Sequence, residues 1–328
     1  MSEADLKRRI LAEVRDELAA IEQAIEANLT PHVELAREIA GHLLFAGGKR
    51  LRPLLMVLCS RLCGYQGGYD VTFSTIFEYI HAATLLHDDV IDGGTLRRGH
   101  PTAHRIWNPS AVVLTGDFLL ARALSIAARA GRLRILEVVA NVTEEMAQGE
   151  ILQLQRKGHL DLTRGEYLRI IRCKTAVLFE GACRVSALLA DAPTGAEEAL
   201  GRYGHHLGLA FQMADDLLDY TEDSAALGKM PGADLREGKL TLPVIHALAR
   251  ASETDRQTMV GIIERGDFSA ATFAGLVSLL HRYGGIDDTR RQAAMEVSRA
   301  KEALAFFPDS RGRRILMDIA DYALIRKS

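Results

Sequence analysis

Apolar residues recur every three or four positions along nearly the whole chain, a period typical of one face of an α-helix. Strand-type alternation is absent, and no linker separates two halves. We therefore predict one all-α domain over residues 1–328, with residues 1–28 forming an N-terminal amphipathic helix. A helix is predicted over about 31–45 and another begins near Pro53. Further helices are predicted at about 70–92, 110–130, 133–156, 165–190, 195–222, 240–265, 271–304 and 310–326.

Composition narrows the possible classes of function. The 328 residues are 48% hydrophobic and carry a net charge of −3, which gives a sizeable core but no nucleic-acid-binding signature. Of the four cysteines, Cys59 and Cys63 are four apart, but no second pair has zinc-site spacing, and all four fit reduced core residues. The N-terminus is charged, and no uninterrupted apolar run has membrane-spanning length. We expect a cytoplasmic protein with no transmembrane segment and no nucleic-acid partner.

Two passages place three acids each where an apolar helical face would otherwise continue. Residues four apart share a helical face, so the carboxylates of each triplet repel one another and raise their pKa values unless a cation intervenes. Carboxylate oxygens suit Mg²⁺, which usually shares its coordination shell with substrate phosphates. We predict a Mg²⁺-bridged diphosphate, the alternative being two exposed helix ends with ordinary surface acids. The triplets are Asp88, Asp89 and Asp92, and Asp215, Asp216 and Asp219.

Basic residues accompany both triplets. Arginine pairs and glycine-rich segments suit phosphate oxygens, and a helix start is a natural anion site. Taken singly, each basic residue is better explained as a solvated surface charge, but their placement around two acid clusters favours diphosphate ligands. They are Arg97 and Arg98 after the first triplet, Lys229 and Lys239 after the second, and Lys49 and Arg52 at a predicted helix start.

Four polar residues lie in otherwise apolar helical stretches. They are His81, Lys174, Thr175 and Gln212. Buried polar groups need partners, and from the sequence a ligand and a neighbouring helix are equally good partners. His81 in particular also fits a satisfied core histidine.

At this point the chain resembles a known family, the trans-prenyl diphosphate synthases, and within it the long-chain polyprenyl synthases of the octaprenyl type. The resemblance runs from about Leu35 to the last predicted helix. The segments that carry it are GGKRLRP at 47–53, HAATLLHDDVID at 81–92, LRRG at 96–99, GDFLLARA at 116–123, CKTA at 173–176, FQMADDLLDY at 211–220 and EGKLTLP at 237–243.

The resemblance implies an isoprenoid synthase helical bundle around a deep central cavity, usually as a homodimer with Mg²⁺ as cofactor. The implied reaction condenses isopentenyl diphosphate with an allylic prenyl diphosphate, such as farnesyl diphosphate, to a long all-trans product for quinone side chains. The implied roles are metal binding for Asp88, Asp89, Asp92, Asp215, Asp216 and Asp219; allylic diphosphate binding for Arg97, Lys174, Lys229 and Lys239; isopentenyl diphosphate binding for Lys49, Arg52, His81 and Arg98; and stabilisation of the allylic cation for Thr175 and Gln212.

Two other functions stay open beside the long-chain synthase. One is a shorter-chain synthase that makes farnesyl or geranylgeranyl diphosphate. The other is a non-catalytic subunit that binds prenyl diphosphates and regulates a partner. A terpene cyclase of the same fold is disfavoured by the complete second triplet.

Product length is expected to depend on the helix face below Asp88. Ala83 and Thr84 lie about one turn below it, or ~5–6 Å, and are small. Ile80 is moderately large, and the first aromatic is Phe77, roughly 16–17 Å below. Several isoprene units could pass, which favours a product near forty carbons. The alternative is that these small residues only permit close helix packing.

Overall fold

The computed structural model describes residues 3–97, 99–221 and 232–325, and nearly all of its regular structure is helical. This confirms the predicted all-α class. The helices are α1 (Glu3–Glu13), α2 (Arg15–Asn28), α3 (Glu34–Leu44), α4 (Leu51–Leu62), α5 (Tyr69–Asp92), α6 (Ala103–Ile106), α7 (Pro109–Ala128), α8 (Leu133–Arg156), α9 (Arg164–Ile171), α10 (Val177–Leu189), α11 (Thr194–Thr221), α12 (Ala233–Arg236), α13 (Leu242–Arg250), α14 (Glu253–Arg265), α15 (Ala270–Arg282), α16 (Gly285–Ala303) and α17 (Arg311–Ile325).

Short non-α elements complete the described chain. A two-residue antiparallel hairpin pairs β1 (Leu96–Arg97) with β2 (His100–Pro101) just after α5. A single π-helical turn, Arg172–Ala176, joins α9 to α10, and a 3₁₀ turn, Leu304–Phe306, follows α16. A π-turn inserts an extra residue into the helical ladder and is frequent at functional sites. Here it interrupts what the sequence predicts as one helix over 165–190.

Three other predicted helices are each two helices. The predicted helix over 1–28 breaks between α1 and α2, where the backbone leaves the helical region (φ −121°, ψ 18°). The segment 240–265 breaks before Ser252, whose side chain caps α14. The segment 271–304 breaks at Gly284, whose φ of +71° favours glycine. Hydrophobic periodicity misses such breaks because the apolar spacing resumes on the far side of each one.

The interior contains two hydrophobic clusters that meet along α11. The larger cluster draws on α1–α5, α7, α8, α10 and α17, and the smaller on α9 and α13–α15. Glycines let α11 approach closely: a Cβ at Gly204 would lie 2.5 Å from the carbonyl oxygen of Phe179, and one at Gly208 would lie 2.5 Å from Cα of Ala176. This close contact fixes the π-turn against the helix that carries the second acid triplet.

Among the described residues, one helix, α7, is long and apolar enough to cross a membrane by length and composition alone. In its most apolar stretch of 18 residues, 39% is buried inside the protein. Two charged residues interrupt it. Asp117 lies 3.5 Å from Nε2 of His87, and Arg122 donates to the carbonyl of Asn28 at 2.7 Å. These contacts tie α7 to α5 and α2, as expected for a helix that packs against a core.

Candidate active site

The two acid triplets contribute to one cavity of about 560 Å³ between α4, α5, α8, the π-turn and α11. Asp88 of α5 and Asp215 of α11 both line it. The cavity therefore brings together side chains that are far apart in the sequence. The other predicted residues that line it are Lys49, Arg52, His81, Thr84, Arg97, Lys174, Thr175 and Gln212.

Lys174, on the π-turn, lies between two carboxylates. Its Nζ is 2.7 Å from Oε2 of Glu150 and 3.3 Å from Oδ2 of Asp88. Burial raises the pKa of Glu150; the charge of Lys174 opposes this shift, and that of Asp88 adds to it. The sequence analysis missed Glu150, because one acid on an amphipathic helix looks like a surface residue.

Asp92, the last acid of the first triplet, pairs with two lysines. Nζ of Lys157 is 2.9 Å from one carboxylate oxygen, and Nζ of Lys239 is 3.0 Å from the other. Burial alone would raise the pKa of Asp92, but the hydrogen bond from Lys157 and the charge of Lys239 outweigh it, and the pKa lies below its ordinary value. Lys239 is a predicted ligand, whereas Lys157 is not, and no local pattern marks it.

Asp89 lies behind the cavity wall and is only 5% exposed. Nε of Arg97 donates to both of its carboxylate oxygens, at 2.8 and 2.9 Å. This forked contact orients Arg97, which lines the cavity. The geometry suits a supporting role for Asp89, and its role as a metal ligand stays a prediction.

Asp216, the middle acid of the second triplet, is buried and only 5% exposed. The hydroxyl of Tyr167 and Nε2 of Gln212 donate to its two oxygens, at 2.6 and 2.7 Å. Burial raises the pKa of Asp216 to about 7; these two hydrogen bonds oppose the rise, and the charges of Asp215 and Asp219 add to it. The added effect of Asp215 and Asp219 is the mutual repulsion predicted for closely spaced acids, and burial is the larger cause of the raised pKa. Tyr167 is a further residue that the sequence analysis missed.

The remaining acids of the second triplet differ in position. Asp215 is exposed and lines the cavity. Asp219 accepts hydrogen bonds from the backbone N–H groups of Ala233 and Asp234, at 2.9 and 3.1 Å. Asp219 therefore connects α11 to the start of α12.

Thr175 and Gln212 form one hydrogen-bonded unit at the cavity wall. Oγ1 of Thr175 donates to Oε1 of Gln212 at 2.8 Å. Because the hydroxyl hydrogen is used in this bond, the lone pairs of Oγ1 remain available as acceptors. Both residues line the cavity. Their role in directing oxygen dipoles into it stays a prediction.

The segment that leads into α4 is anchored by a buried arginine. Arg50 is 4% exposed, adopts a left-handed backbone (φ 46°), and pairs with Glu22 and Glu78 at 2.6 Å each. These contacts satisfy its guanidinium inside the protein. Arg50 therefore has a structural role that fixes its neighbours Lys49 and Arg52 at the cavity.

Those two neighbours lie near aromatic rings. The guanidinium carbon of Arg52 is 4.6 Å from the ring centroid of Phe179, and Nζ of Lys49 is 6.0 Å from that of Tyr322 on α17. Stacking on a ring restricts a cation while leaving its hydrogen-bond donors available to an anion. His81 lines the same cavity.

Of the predicted chain-length residues, Thr84 lines the cavity, and its hydroxyl donates to the carbonyl of His81 at 2.9 Å. Ala83 and Phe77 are fully buried, and Ile80 is 1% exposed. Their effect on product length stays a prediction.

Two predicted ligands, Arg98 and Lys229, lie outside the described residues. Within the ranges 3–97, 99–221 and 232–325, no group of three or more His, Cys, Asp or Glu side chains is placed to hold a metal ion by itself. Asp88 and Asp215 nevertheless supply hard carboxylate oxygens to one cavity. This donor set fits Mg²⁺, which typically takes one or two carboxylates and completes its shell with substrate phosphates and water.

Comparisons with known proteins show which family this chain is similar to. Residues 33–280 match the family model described as Polyprenyl synthetase. The chain is 39% identical to the octaprenyl diphosphate synthase of Escherichia coli (94% of this chain, 96% of the relative) and 39% identical to the all-trans-nonaprenyl-diphosphate synthase (geranyl-diphosphate specific) of Rhodobacter capsulatus (98% of each).

Solved structures extend the likeness to the fold. A crystal structure of polyprenyl synthase from Caulobacter crescentus, complexed with calcium and isoprenyl diphosphate, has a TM-score of 0.91 at 40% identity and 98% coverage of each chain. A decaprenyl diphosphate synthase from Rhodobacter capsulatus has a TM-score of 0.90 at 41% identity, over 97% of this chain and 98% of that one. The predicted isoprenoid synthase fold is confirmed. The chain therefore belongs to the polyprenyl synthetase family and is a trans-prenyltransferase.

Proposed function

We propose that this enzyme is a Mg²⁺-dependent synthase that extends farnesyl diphosphate with isopentenyl diphosphate to an all-trans product near forty carbons, used for quinone side chains. The observation that carries the proposal is the shared cavity of Asp88 and Asp215, which also contains members of both predicted sets of basic residues. Opposed acid clusters with bases between them suit a metal-bridged diphosphate beside a second diphosphate.

Different residues act on the leaving diphosphate and on the allylic cation. Arg97, Lys174 and Lys239 hold and neutralise the allylic diphosphate, so that the allylic C–O bond can ionise. Bound Mg²⁺ would add further positive charge at the leaving diphosphate. Thr175 and Gln212 turn acceptor oxygens toward the cation that forms.

Other residues of the cavity bind isopentenyl diphosphate and exclude water. Lys49, Arg52 and His81 hold the diphosphate of isopentenyl diphosphate, whose double bond attacks the cation. The apolar side chains of Leu85 and Phe211 also line the cavity and help to exclude water, which would otherwise quench the cation. Attack by the double bond leaves a new cation, and loss of a proton from the adjacent carbon forms the new double bond. The released diphosphate accepts this proton, because no side chain in the described part of the chain is an obvious dedicated base.

Several observations support a long product, a divalent metal and a homodimer. The relatives at 39% identity are named octaprenyl and nonaprenyl synthases, while a geranylgeranyl diphosphate synthase of Methanosarcina mazei is 31% identical. A structural relative was solved with calcium and isoprenyl diphosphate. On α7 and α8, Leu114 and Ile151 are 66% and 58% exposed, which suits burial against a second copy of a cytoplasmic enzyme.

The test is incubation of the pure protein with Mg²⁺, farnesyl diphosphate and radiolabelled isopentenyl diphosphate. Incorporation of label is the expected result, with a main product near forty carbons after dephosphorylation and chromatography. A main product of twenty carbons or fewer would favour the shorter-chain synthase. Binding of farnesyl diphosphate without incorporation would favour the regulatory subunit and would overturn the proposal.

A further inference from the structure

Lys157 makes a contact at the active site that none of the predicted roles covers. It follows α8 directly, and its Nζ lies 2.9 Å from Oδ1 of Asp92, opposite Lys239 at 3.0 Å from Oδ2. Lys239 also pairs with Glu237 at 2.6 Å. The ammonium groups of Lys157 and Lys239 thus share the carboxylate of Asp92, and Lys239 has a second acidic partner in Glu237.

The backbone around Lys157 is built for this position. The N–H of Gly158 donates to the carbonyl of Gly238 at 2.8 Å, which joins the two loops that carry the lysines. Gly238 has a φ of +74°, and a Cβ there would lie 3.1 Å from Cγ of Lys157. The glycine therefore permits an approach that a larger residue would disturb, and the hydrogen bond holds the backbones that carry the two lysines together.

Lys157 also faces a space that continues from the active site. A cavity of about 130 Å³ is lined by Lys157, Lys174 and Lys239, together with Thr175 and Gln212. Lys174, Thr175 and Gln212 line the large cavity as well. The ammonium of Lys157, whose side chain is 35% exposed, can therefore reach the active site by rotation of its own flexible stem.

We propose that Lys157 is a further diphosphate-binding residue, which exchanges Asp92 for the oxygens of the allylic diphosphate when a divalent metal takes Asp92. This inference rests on the proposed function. A metal ion and an ammonium compete for the same carboxylate oxygen, so metal binding releases Lys157. The released ammonium then lies beside a diphosphate, which offers more negative charge than the carboxylate it has left. Lys239 keeps Glu237 as a counter-ion, so Lys157 is the lysine that changes partner.

The exchange predicts effects of opposite sign when the charge of Lys157 is removed. In Lys157→Met, no ammonium from residue 157 competes with a metal ion for Asp92, so the affinity for Mn²⁺ in the absence of diphosphate should increase. The same variant lacks a charge-assisted contact to phosphate, so affinity for an allylic diphosphate should fall about tenfold. Lys157→Arg keeps the charge and should stay close to the wild type in both measurements.

Two binding measurements test the exchange without turnover. Free Mn²⁺ is followed by electron paramagnetic resonance in the absence of diphosphate. Binding of the farnesyl analogue with sulfur in place of the bridging oxygen, which resists ionisation, is followed by calorimetry with Mg²⁺. Lys7→Met, an exposed lysine on α1, is the matched control for loss of one positive charge.

Each outcome decides between the exchange and a purely structural ion pair. Tighter Mn²⁺ binding with weaker analogue binding, in Lys157→Met but not in Lys7→Met, supports the proposal. Analogue affinity within twofold of wild type overturns it, and so does unchanged or weaker Mn²⁺ binding, or the same shifts in Lys7→Met. If the wild-type protein itself fails to bind the analogue with Mg²⁺, the proposed function fails as well, so the two failures are distinguishable.

Discussion

The hydroxyl of Tyr167 donates a 2.6 Å hydrogen bond to Oδ2 of Asp216, and both side chains are almost completely buried. The pKa of Asp216 is already raised to about 7, and the Tyr167 bond opposes that rise. In Tyr167→Phe the pKa should rise further, so more of Asp216 is protonated and uncharged at neutral pH. We expect the apparent Mg²⁺ requirement for turnover to increase several-fold at pH 7 and to recover toward wild type near pH 9.

The matched control for this variant is Tyr220→Phe. The Tyr220 hydroxyl is also buried, but it bonds to the hydroxyl of Thr241 at 2.6 Å and not to an acid. This explanation would be contradicted if the Mg²⁺ requirement of Tyr167→Phe increased equally at both pH values. It would also be contradicted if Tyr220→Phe showed the same pH-dependent increase.

Asp88→Ala and Asp215→Ala are each expected to lower kcat by about a hundredfold or more, since both carboxylates face the shared cavity. Folding should survive, because each change removes a partly exposed acid from a group of like charges. Steady-state kinetics with circular dichroism measures both effects. Asp309→Ala, at an exposed acid paired with Arg314, is the control and should keep normal turnover. Near-normal turnover of either active-site variant would refute the metal assignment.

Lys49→Ala is expected to raise KM for isopentenyl diphosphate about tenfold to a hundredfold, because a charge-assisted phosphate contact contributes about 1.5–3 kcal/mol. The same expectation holds for Arg98→Ala. Lys239→Ala should instead raise KM for the allylic substrate. Initial rates with each substrate varied in turn distinguish the two sets. An effect of Lys49→Ala on the allylic substrate alone would mean that the two diphosphate sites are exchanged.

Ala83→Tyr is expected to shift the main product to about twenty carbons or fewer while isopentenyl diphosphate is still incorporated. The ring would narrow the path about one turn below Asp88. Phe77→Ala should lengthen the product or leave it unchanged. Chromatography of the dephosphorylated products measures this. If total incorporation persists with an unaltered length distribution in Ala83→Tyr, the growing chain does not follow this helix.

Glu296→Gln is expected to destabilise the fold at neutral pH and to have a smaller effect in acid. Burial raises the pKa of Glu296, but the hydrogen bonds and charges of His206 and Arg299, both 2.6 Å away, outweigh it, and the pKa is lowered. A lowered native pKa stabilises the fold above the unfolded pKa of about 4.5, and this stability is lost as the pH falls through the native pKa.

Urea unfolding midpoints near pH 7 and near pH 3.5 test this prediction. The free energy of unfolding of Glu296→Gln should be about 1–3 kcal/mol lower than that of wild type at the higher pH. This difference should be smaller at the lower pH. Glu302→Gln, at an exposed position on the same helix, should match wild type at both. A difference independent of pH would argue against the charged pair.

The helical class, the positions of most helices and both acid triplets could be predicted from the sequence, because these features depend on local spacing. The predicted helices over 70–92 and 133–156 agree with α5 and α8 to within one residue. The i, i+4 spacing also predicted that the acids of each triplet would share a face and repel one another. In the second triplet, burial is the main cause of the raised pKa of Asp216, and the charges of Asp215 and Asp219 add to it.

Which charged side chains contact one another depends on how the helices pack and could not be predicted from the sequence. Lys157 lies 65 residues from Asp92, Tyr167 lies 49 from Asp216, and Arg50 reaches Glu78 across 28 residues. Such pairs form where helices pack against each other. The hydrophobic periodicity of the segments that carry the two partners does not indicate them. Helix breaks such as that at Gly284 are likewise fixed by the need to fold a continuing apolar face back onto the core.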